Sequence, residues 1–229
     1  MNTPVVLVHG LTGSTGWWDA TRAALEPHHD VRVVTLPGFA GPRRSRQSFV
    51  VAHAAEWLLG WLDGEGLGRV TLVGHSMGGM IALLAAARAP ERVERLVLIA
   101  PAGIFESASR RSYVLPVLRA VSTVSPRTLP VLGRDLIRAG PLRLWRVASE
   151  LLASDVRPAF RAVRSPSLVI WGGRDRLLPP ALGEVFRSEM QNSRLLVLPK
   201  AAHVPMLDAP NEVNQALLRF LQEGSDQCS

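Results

Sequence analysis

The feature that most constrains the fold of this chain is a glycine-flanked corner, Gly-His-Ser-Met-Gly, at residues 74–78. The apolar run at residues 70–73 predicts a buried strand, and the apolar run at residues 80–87 predicts a helix. A serine between a strand and a helix, with glycine two residues away on either side, is typical of a sharp strand–turn–helix corner. Only glycine leaves room there for the strand and the helix to meet. The Ser76 hydroxyl should therefore project clear of the sheet, towards the free amides at the helix N-terminus.

Short apolar runs alternate with helical segments along the whole chain, which predicts a doubly wound α/β fold. We expect an all-parallel sheet of about six strands, with Val31–Val34 at one edge. The chain has 229 residues, of which 47% are hydrophobic, so a single core can form. A domain of this size buries roughly 70–75% of its unfolded surface.

A nucleophilic serine needs a general base, and the base needs an acid that orients it. His203 comes directly after the apolar run at residues 195–198, and Asp175 comes directly after the strand predicted at residues 167–170. Both follow the carboxyl ends of predicted strands, where open α/β sheets gather their functional residues. Ser76, Asp175 and His203 are therefore the predicted catalytic residues.

Residues near the predicted catalytic ones have other possible roles. His75 lies inside the corner, with its side chain directed away from Ser76, and is predicted to be structural. Asp175 has an alternative role as a loop carboxylate paired with one of the arginines on either side of it. Asp208 is a poorer candidate for the acid because it follows His203 too closely.

Together with the corner, further segments make the chain resemble the α/β-hydrolase superfamily, in its serine esterase and carbon–carbon bond hydrolase branch. These segments are residues 8–11 (Val-His-Gly-Leu), residues 36–39 (Leu-Pro-Gly-Phe), residues 172–175 (Gly-Gly-Arg-Asp) with Pro179, and residues 202–203 (Ala-His) with Pro205 and Pro210. The order serine, acid, histidine is also that of the superfamily. The resemblance implies a hydrolase core in residues 1–101 and 165–229. The superfamily's opening antiparallel hairpin is expected to be missing, because the first predicted strand follows the first residues directly.

The resemblance also implies roles for residues that spacing alone does not identify. The backbone amides of Leu11 and Met77 would form the oxyanion hole. Trp17 or Trp18 would wall the substrate pocket, with ordinary core packing as the alternative. No cofactor and no metal are expected, since the spacing of a metal site is absent. The single cysteine, Cys228, has no partner for an internal disulfide.

About 60 residues separate two predicted strands in the second half of the chain, too many for a structureless loop. Apolar residues recur there at helical spacing, and prolines divide the segment into three or four short helices. The resemblance implies that residues 102–164 form a helical lid over the pocket. This segment contains eleven arginines and four acidic residues, so it carries the whole formal charge of +7. The charge could steer an anionic substrate or attach the protein to an acidic lipid surface. The alternative is that the arginines simply form the water-exposed face of the helices.

The resemblance implies a serine hydrolase that cleaves a carboxylic ester of a small to medium, largely apolar substrate through an acyl-enzyme. A thioesterase or a carbon–carbon bond hydrolase would use the same triad, and a hydrolase-like receptor for a small molecule is an alternative of another class. Nucleic-acid binding is not expected, because no recognition motif accompanies the charge. Apolar stretches fall far short of the ~20 residues that span a bilayer, and no secretion signal is recognised, so a cytoplasmic location is expected. The oligomeric state stays open.

Overall fold

The computed structural model describes residues 3–39, 50–104, 133–135, 137 and 140–223. In this part of the chain the strands are Val5–Val8 (β1), Val31–Val34 (β2), Val70–His75 (β3), Val93–Ile99 (β4), Ser167–Gly172 (β5) and Ser193–Leu198 (β6). The α-helices are Asp19–Leu25 (α1), Ala54–Gly64 (α2), Met77–Arg88 (α3), Pro141–Leu152 (α4), Ala181–Glu189 (α5), Pro205–Asp208 (α6) and Pro210–Gln222 (α7). Short 3₁₀ helices lie at Thr15–Trp18, Val51–His53, Pro90–Arg92 and Arg157–Ala162.

The six strands form one sheet in the order β2-β1-β3-β4-β5-β6, and every neighbouring pair is parallel. The predicted all-parallel sheet, with Val31–Val34 at one edge, is confirmed. The chain runs from β1 outwards to β2, then returns past β1 to β3 and continues in the other direction. The direction of winding therefore changes between β1 and β3. In open α/β sheets a crevice for ligands forms at the carboxyl ends of the strands at such a point.

Two hydrophobic cores cover the two faces of the sheet. Residues alternate between the faces along each strand, so on β1 Val6 and Val8 belong to one core while Val5 and Leu7 belong to the other. Helices α2, α3, α4 and α5 contribute to the first core, and α1 and α7 contribute to the second. Because both faces are covered, the strands read as nearly continuous apolar runs in the sequence.

Residues 105–132 of the predicted lid lie outside the described part of the chain. In the part that is described, α4 begins at Pro141, and Pro158 lies in the first turn of the 3₁₀ helix Arg157–Ala162. Proline fits the first turn of a helix because its missing amide would have no partner there. At these two positions a proline lies in the first turn of a helix, and the predicted division of the whole segment into three or four helices stays a prediction. None of the described helices is long and apolar enough to cross a membrane.

Within this segment the Val156 amide donates to the Gly103 carbonyl over 2.9 Å. Hydrogen bonds also join α4 to the sheet domain. The Val51 amide donates to Glu150 of α4 over 2.9 Å. The Arg143 guanidinium donates to the carbonyl oxygen of Gly38. Helix α4 is therefore held beside the loop that follows β2 and the 3₁₀ helix that precedes α2.

Backbone contact between β3, α3 and β1 is possible only because of two glycines. A Cβ atom on Gly74 would stand 2.3 Å from the carbonyl oxygen of Gly78, and a Cβ atom on Gly78 would stand 2.3 Å from the carbonyl oxygen of Val8. Neither carbonyl can move without displacing a strand or a helix. The two glycines therefore set how closely α3 approaches the sheet.

We predict that Gly78→Ala destabilises the protein by about 3 kcal/mol or more, because the new methyl group overlaps backbone atoms of β1. Gly60→Ala is the matched control. Gly60 lies on the exposed side of α2 with no atom within 4 Å of an added Cβ. This control should stabilise the protein by about 0.5–1 kcal/mol, since alanine is more favourable than glycine in the interior of a helix. Urea unfolding measures both changes. Equal effects of the two substitutions would refute the close crossing.

Candidate active site

Ser76 occupies the corner between β3 and α3 in a strained backbone conformation. Its φ is 52° and its ψ is −117°, a combination that side-chain-bearing residues rarely adopt and that costs on the order of 1–3 kcal/mol. Three backbone hydrogen bonds hold it there. The Ser76 amide donates to the Ile99 carbonyl over 2.9 Å, and the Ser76 carbonyl accepts from the amides of Met80 at 3.0 Å and Ala102 at 3.1 Å. The corner thus has the geometry that the pentapeptide predicts.

The three residues chosen from the sequence as catalytic come together at this corner. The Nε2 atom of His203 lies 3.2 Å from the Oγ atom of Ser76, and the Nδ1 atom of His203 lies 2.8 Å from Oδ2 of Asp175. The imidazole is therefore within hydrogen-bonding distance of both partners, one on each ring nitrogen. This arrangement allows the histidine to take a proton from the serine while the carboxylate holds the ring.

Asp175 is buried, with 5% of its surface exposed, and its carboxylate is divided between two tasks. Oδ1 accepts hydrogen bonds from the amides of Leu177 and Leu178, each over 2.9 Å. Oδ2 is left for His203. In the described part of the chain this carboxylate forms no ion pair with Arg174 or Arg176, which was the alternative role considered from the sequence.

The loop that carries His203 lies against the end of β5 and is fixed by a second carboxylate. A Cβ atom on Gly172 would stand 1.9 Å from the Ala202 carbonyl oxygen, so the loop approaches the strand as closely as glycine permits. The Ala202 amide donates to Oδ2 of Asp208 over 2.9 Å. Burial raises the pKa of the Asp208 carboxyl, while its hydrogen bond to the Ala202 amide acts in the opposite direction. Asp208 thus supports the loop and does not contact the imidazole, a role that its position close after His203 signalled only weakly.

His75 also contacts this loop, which sequence reasoning missed. Its side chain is 2% exposed, and its Nε2 atom lies 2.9 Å from the backbone carbonyl oxygen of His203. The two imidazole rings are 5.1 Å apart between centroids. Burial lowers the pKa of His75 to about 3, so the ring is neutral at ordinary pH. The sequence predicts only a structural role for this residue, and the structure directs its polar atom to the backbone of His203.

His9 is a third buried histidine, and it fixes the loop that follows β1. Its Nδ1 atom lies 2.8 Å from the Gly10 carbonyl oxygen, and its Nε2 atom accepts from the Leu36 amide over 3.2 Å. Burial lowers the pKa of His9, so it too is neutral. A Cβ atom on Gly10 would stand 3.2 Å from the Ser76 Cβ atom, which brings the start of this loop next to the corner. Leu11 is the next residue of this loop, and its role in an oxyanion hole stays a prediction.

The two tryptophans predicted to wall the pocket are both buried. Trp18 is fully enclosed in the core on the α1 and α7 face of the sheet. Trp17 belongs to the same core, but its ring lies 5.8 Å from that of His75, and its Nε1 atom donates to Oδ2 of Asp135 over 3.0 Å. Trp17 therefore joins the corner to Asp135, in the segment between β4 and β5. A role of either ring in binding substrate stays a prediction.

Comparison with known proteins shows the family of this chain. Residues 5–216 match the alpha/beta hydrolase family. The chain belongs to the alpha/beta hydrolase family. Similar proteins include a pimeloyl-[acyl-carrier protein] methyl ester esterase of Neisseria meningitidis serogroup B, 30% identical over 245 residues that cover 96% of this chain and 93% of the relative.

Two further similar proteins are known. A dihydrolipoyllysine-residue acetyltransferase component of the acetoin cleaving system of Pseudomonas putida is 30% identical over 96% of this chain, which spans 64% of that relative's length. Among solved structures, the enol-lactonase of Burkholderia xenovorans LB400 has a TM-score of 0.81 and 25% identity, with 97% of this chain and 93% of that chain covered.

The buried state of His75 makes the stability of this alpha/beta hydrolase depend on pH. Folding lowers the pKa of His75 from 6.5 to about 3. Between these two pH values the unfolded chain binds a proton at this residue and the folded protein does not. The contribution of neutral His75 to the free energy of unfolding is fully present above pH 6.5 and is lost as the pH falls towards 3. Between pH 7 and pH 5 we expect this residue to cost the folded state up to about 2 kcal/mol.

Urea unfolding at pH 7 and at pH 5 measures this loss. His75→Gln, which cannot ionise, should reduce the fall in unfolding free energy by the same amount, while the contributions of other groups remain. An identical pH dependence in the variant and the natural protein would contradict a neutral His75.

Proposed function

We propose that this protein is a serine hydrolase that cleaves carboxylic esters through an acyl-enzyme. The observation that carries the proposal is the hydrogen-bonded series from Asp175 through His203 to Ser76, at 2.8 and 3.2 Å, with the serine on a strained corner. Ser76 is the nucleophile, His203 the general base, and Asp175 the group that orients the imidazole and stabilises its cation. The similarity to an esterase over nearly the whole chain supports the ester as the substrate class.

In the proposed reaction His203 takes the proton of the Ser76 hydroxyl while the oxygen attacks the acyl carbon. The carbonyl oxygen becomes an oxyanion, which the backbone amides of Leu11 and Met77 stabilise. Met77 is the first residue of α3, so its amide belongs to the electropositive end of that helix. The protonated His203 then gives its proton to the leaving alcohol. Water activated by the same imidazole releases the acid and restores Ser76.

Residues 102–164 are proposed to form a lid that decides which substrates enter. The described part of this segment supports the proposal, because Arg143 and Glu150 of α4 contact the loops at Gly38 and Val51. Several of its arginines are already paired with acidic neighbours, namely Arg134 with Asp135, Arg146 with Glu150 and Arg157 with Asp155. The pairs of Arg146 and Arg157 are exposed and contribute little to stability, whereas Asp135 is buried. All three pairs also reduce the local positive charge that could act on a substrate.

The nucleophile is tested by substitution and by chemical labelling. We expect Ser76→Ala to lower turnover of p-nitrophenyl esters by roughly 10⁴–10⁶-fold, because the covalent route is lost while the fold is kept. A fluorophosphonate probe should label Ser76 in the natural protein. Acyl thioesters of matched length, assayed in parallel, separate an esterase from a thioesterase. Labelling at another residue, or near-normal turnover in the variant, would refute the proposal.

The acid is tested by Asp175→Asn. The amide cannot stabilise the imidazolium and can hold the wrong tautomer, so turnover should fall by up to about 10⁴-fold. Asp30→Asn is the matched control, because Asp30 is an exposed carboxylate paired with Arg32 just before β2. The control should retain normal turnover. If both substitutions have the same small effect, Asp175 is a loop carboxylate and the proposed triad fails.

A further inference from the structure

His75 is the one buried polar side chain whose hydrogen bond reaches the backbone of the proposed general base in the described structure. Position 75 precedes the nucleophile, at the end of β3, and its neighbours Val73 and Met77 are apolar and fully buried. An apolar side chain would fill such a site at no electrostatic cost. A histidine there has to be explained by something other than packing.

The hydrogen bond fixes the tautomer of His75. A carbonyl oxygen can only accept, so the 2.9 Å contact to His203 requires the proton to be on Nε2 of His75. Since the ring is neutral, Nδ1 then carries no proton. Nδ1 is buried and has no hydrogen-bond partner among the described residues.

The unpaired nitrogen makes a packing role costly. A buried polar atom without a partner destabilises a protein by about 1–3 kcal/mol. Nδ1 stands 2.9 Å from the position that a Cβ on Gly10 would take, so the loop lies close to this atom. None of the described residues donates a hydrogen bond to it. The benefit of the histidine must therefore come from its other nitrogen, the one that holds His203.

The carbonyl of His203 is a suitable point at which to control the imidazole. Asp175 and Ser76 contact the nitrogens of the His203 ring, while the backbone of the loop sets the position of its Cβ atom. The Asp208 carboxylate holds the residue before it through the Ala202 amide, and the His75 ring holds His203 itself. The loop is thus fixed by one hydrogen bond on each side of the peptide that precedes His203.

We infer that His75 is a positioning residue, whose Nε2–H bond to the His203 carbonyl keeps the imidazole of His203 in line with the Ser76 hydroxyl. The inference rests on the proposed function and assigns a further residue to the same site. A neutral ring suits the task, because the imidazolium of His203 that forms during the proposed reaction is 5.1 Å away between ring centroids. A second cation at that distance would oppose its formation.

The test compares His75→Gln with His75→Met. Glutamine carries an N–H donor as many bonds from the backbone as Nε2 of histidine, and methionine has nearly the same shape without a donor. We expect His75→Met to lower kcat by on the order of 10- to 100-fold, because small displacements of a catalytic group cost this much. KM should stay within about twofold, since no contact with substrate is removed. His75→Gln should recover most of kcat.

Thr71→Val is the matched control for a disturbance of the strand. Thr71 is buried on β3, four residues before His75, and does not reach the site. Its substitution should leave kcat unchanged. Equal losses of kcat in folded His75→Gln and His75→Met, or no loss in either, would overturn the inference and leave His75 as a packing residue.

A second measurement needs no variant. Nitrogen-15 NMR of the natural protein should find His75 protonated at Nε2, unprotonated at Nδ1 and neutral from pH 5 to pH 8. A proton on Nδ1 would overturn the inference even if His75→Met fails to fold. The failure of the proposed function is distinguished by Ser76→Ala on the same ester. Unchanged turnover in that variant would refute the nucleophile, and the NMR result would still decide whether His75 donates to His203.

Discussion

The approach of helix α3 to strands β3 and β1 is the constraint on which the rest of the site depends. Gly74 and Gly78 allow backbone to meet backbone, and the chain can turn between them only through the strained conformation of Ser76. The cost of that strain, on the order of 1–3 kcal/mol, is offset by hydrogen bonds that Ser76 forms with Ile99 of β4 and with Ala102, shortly after β4. The packing of the sheet therefore sets the position of the Ser76 Cβ atom, from which the hydroxyl projects.

Three histidines near the corner do different work because their surroundings differ. His9 and His75 are buried, and burial lowers the pKa of each, so both are neutral groups that tie backbone segments together. His9 joins the loops after β1 and β2, and His75 contacts the loop after β6. His203 is half-buried and contacts a carboxylate and a hydroxyl. Residue type alone does not separate these roles, because they follow from solvent exposure and from which atoms face the rings.

The segment between β4 and β5 is joined to the site through polar contacts. Asp135 accepts from the Trp17 indole, whose ring lies beside His75, and Glu150 accepts from the amide of Val51. A buried carboxylate such as Asp135 is stable only while its donors are in place. The segment between β4 and β5 is thus connected through Asp135 to Trp17, next to the corner.

The sequence by itself determined the parallel sheet, the edge position of Val31–Val34 and the identity of the three residues that meet at the corner. These features depend on local patterns: apolar runs, the glycine spacing around Ser76, and polar residues directly after strands. Only the tertiary structure decided the roles of His75 and Asp208, the buried positions of Trp17 and Trp18, and the division of the Asp175 carboxylate between His203 and two amides. Such roles depend on contacts between segments far apart in the chain, such as residues 75 and 203. A sequence states which groups are available, and packing decides which atoms they face.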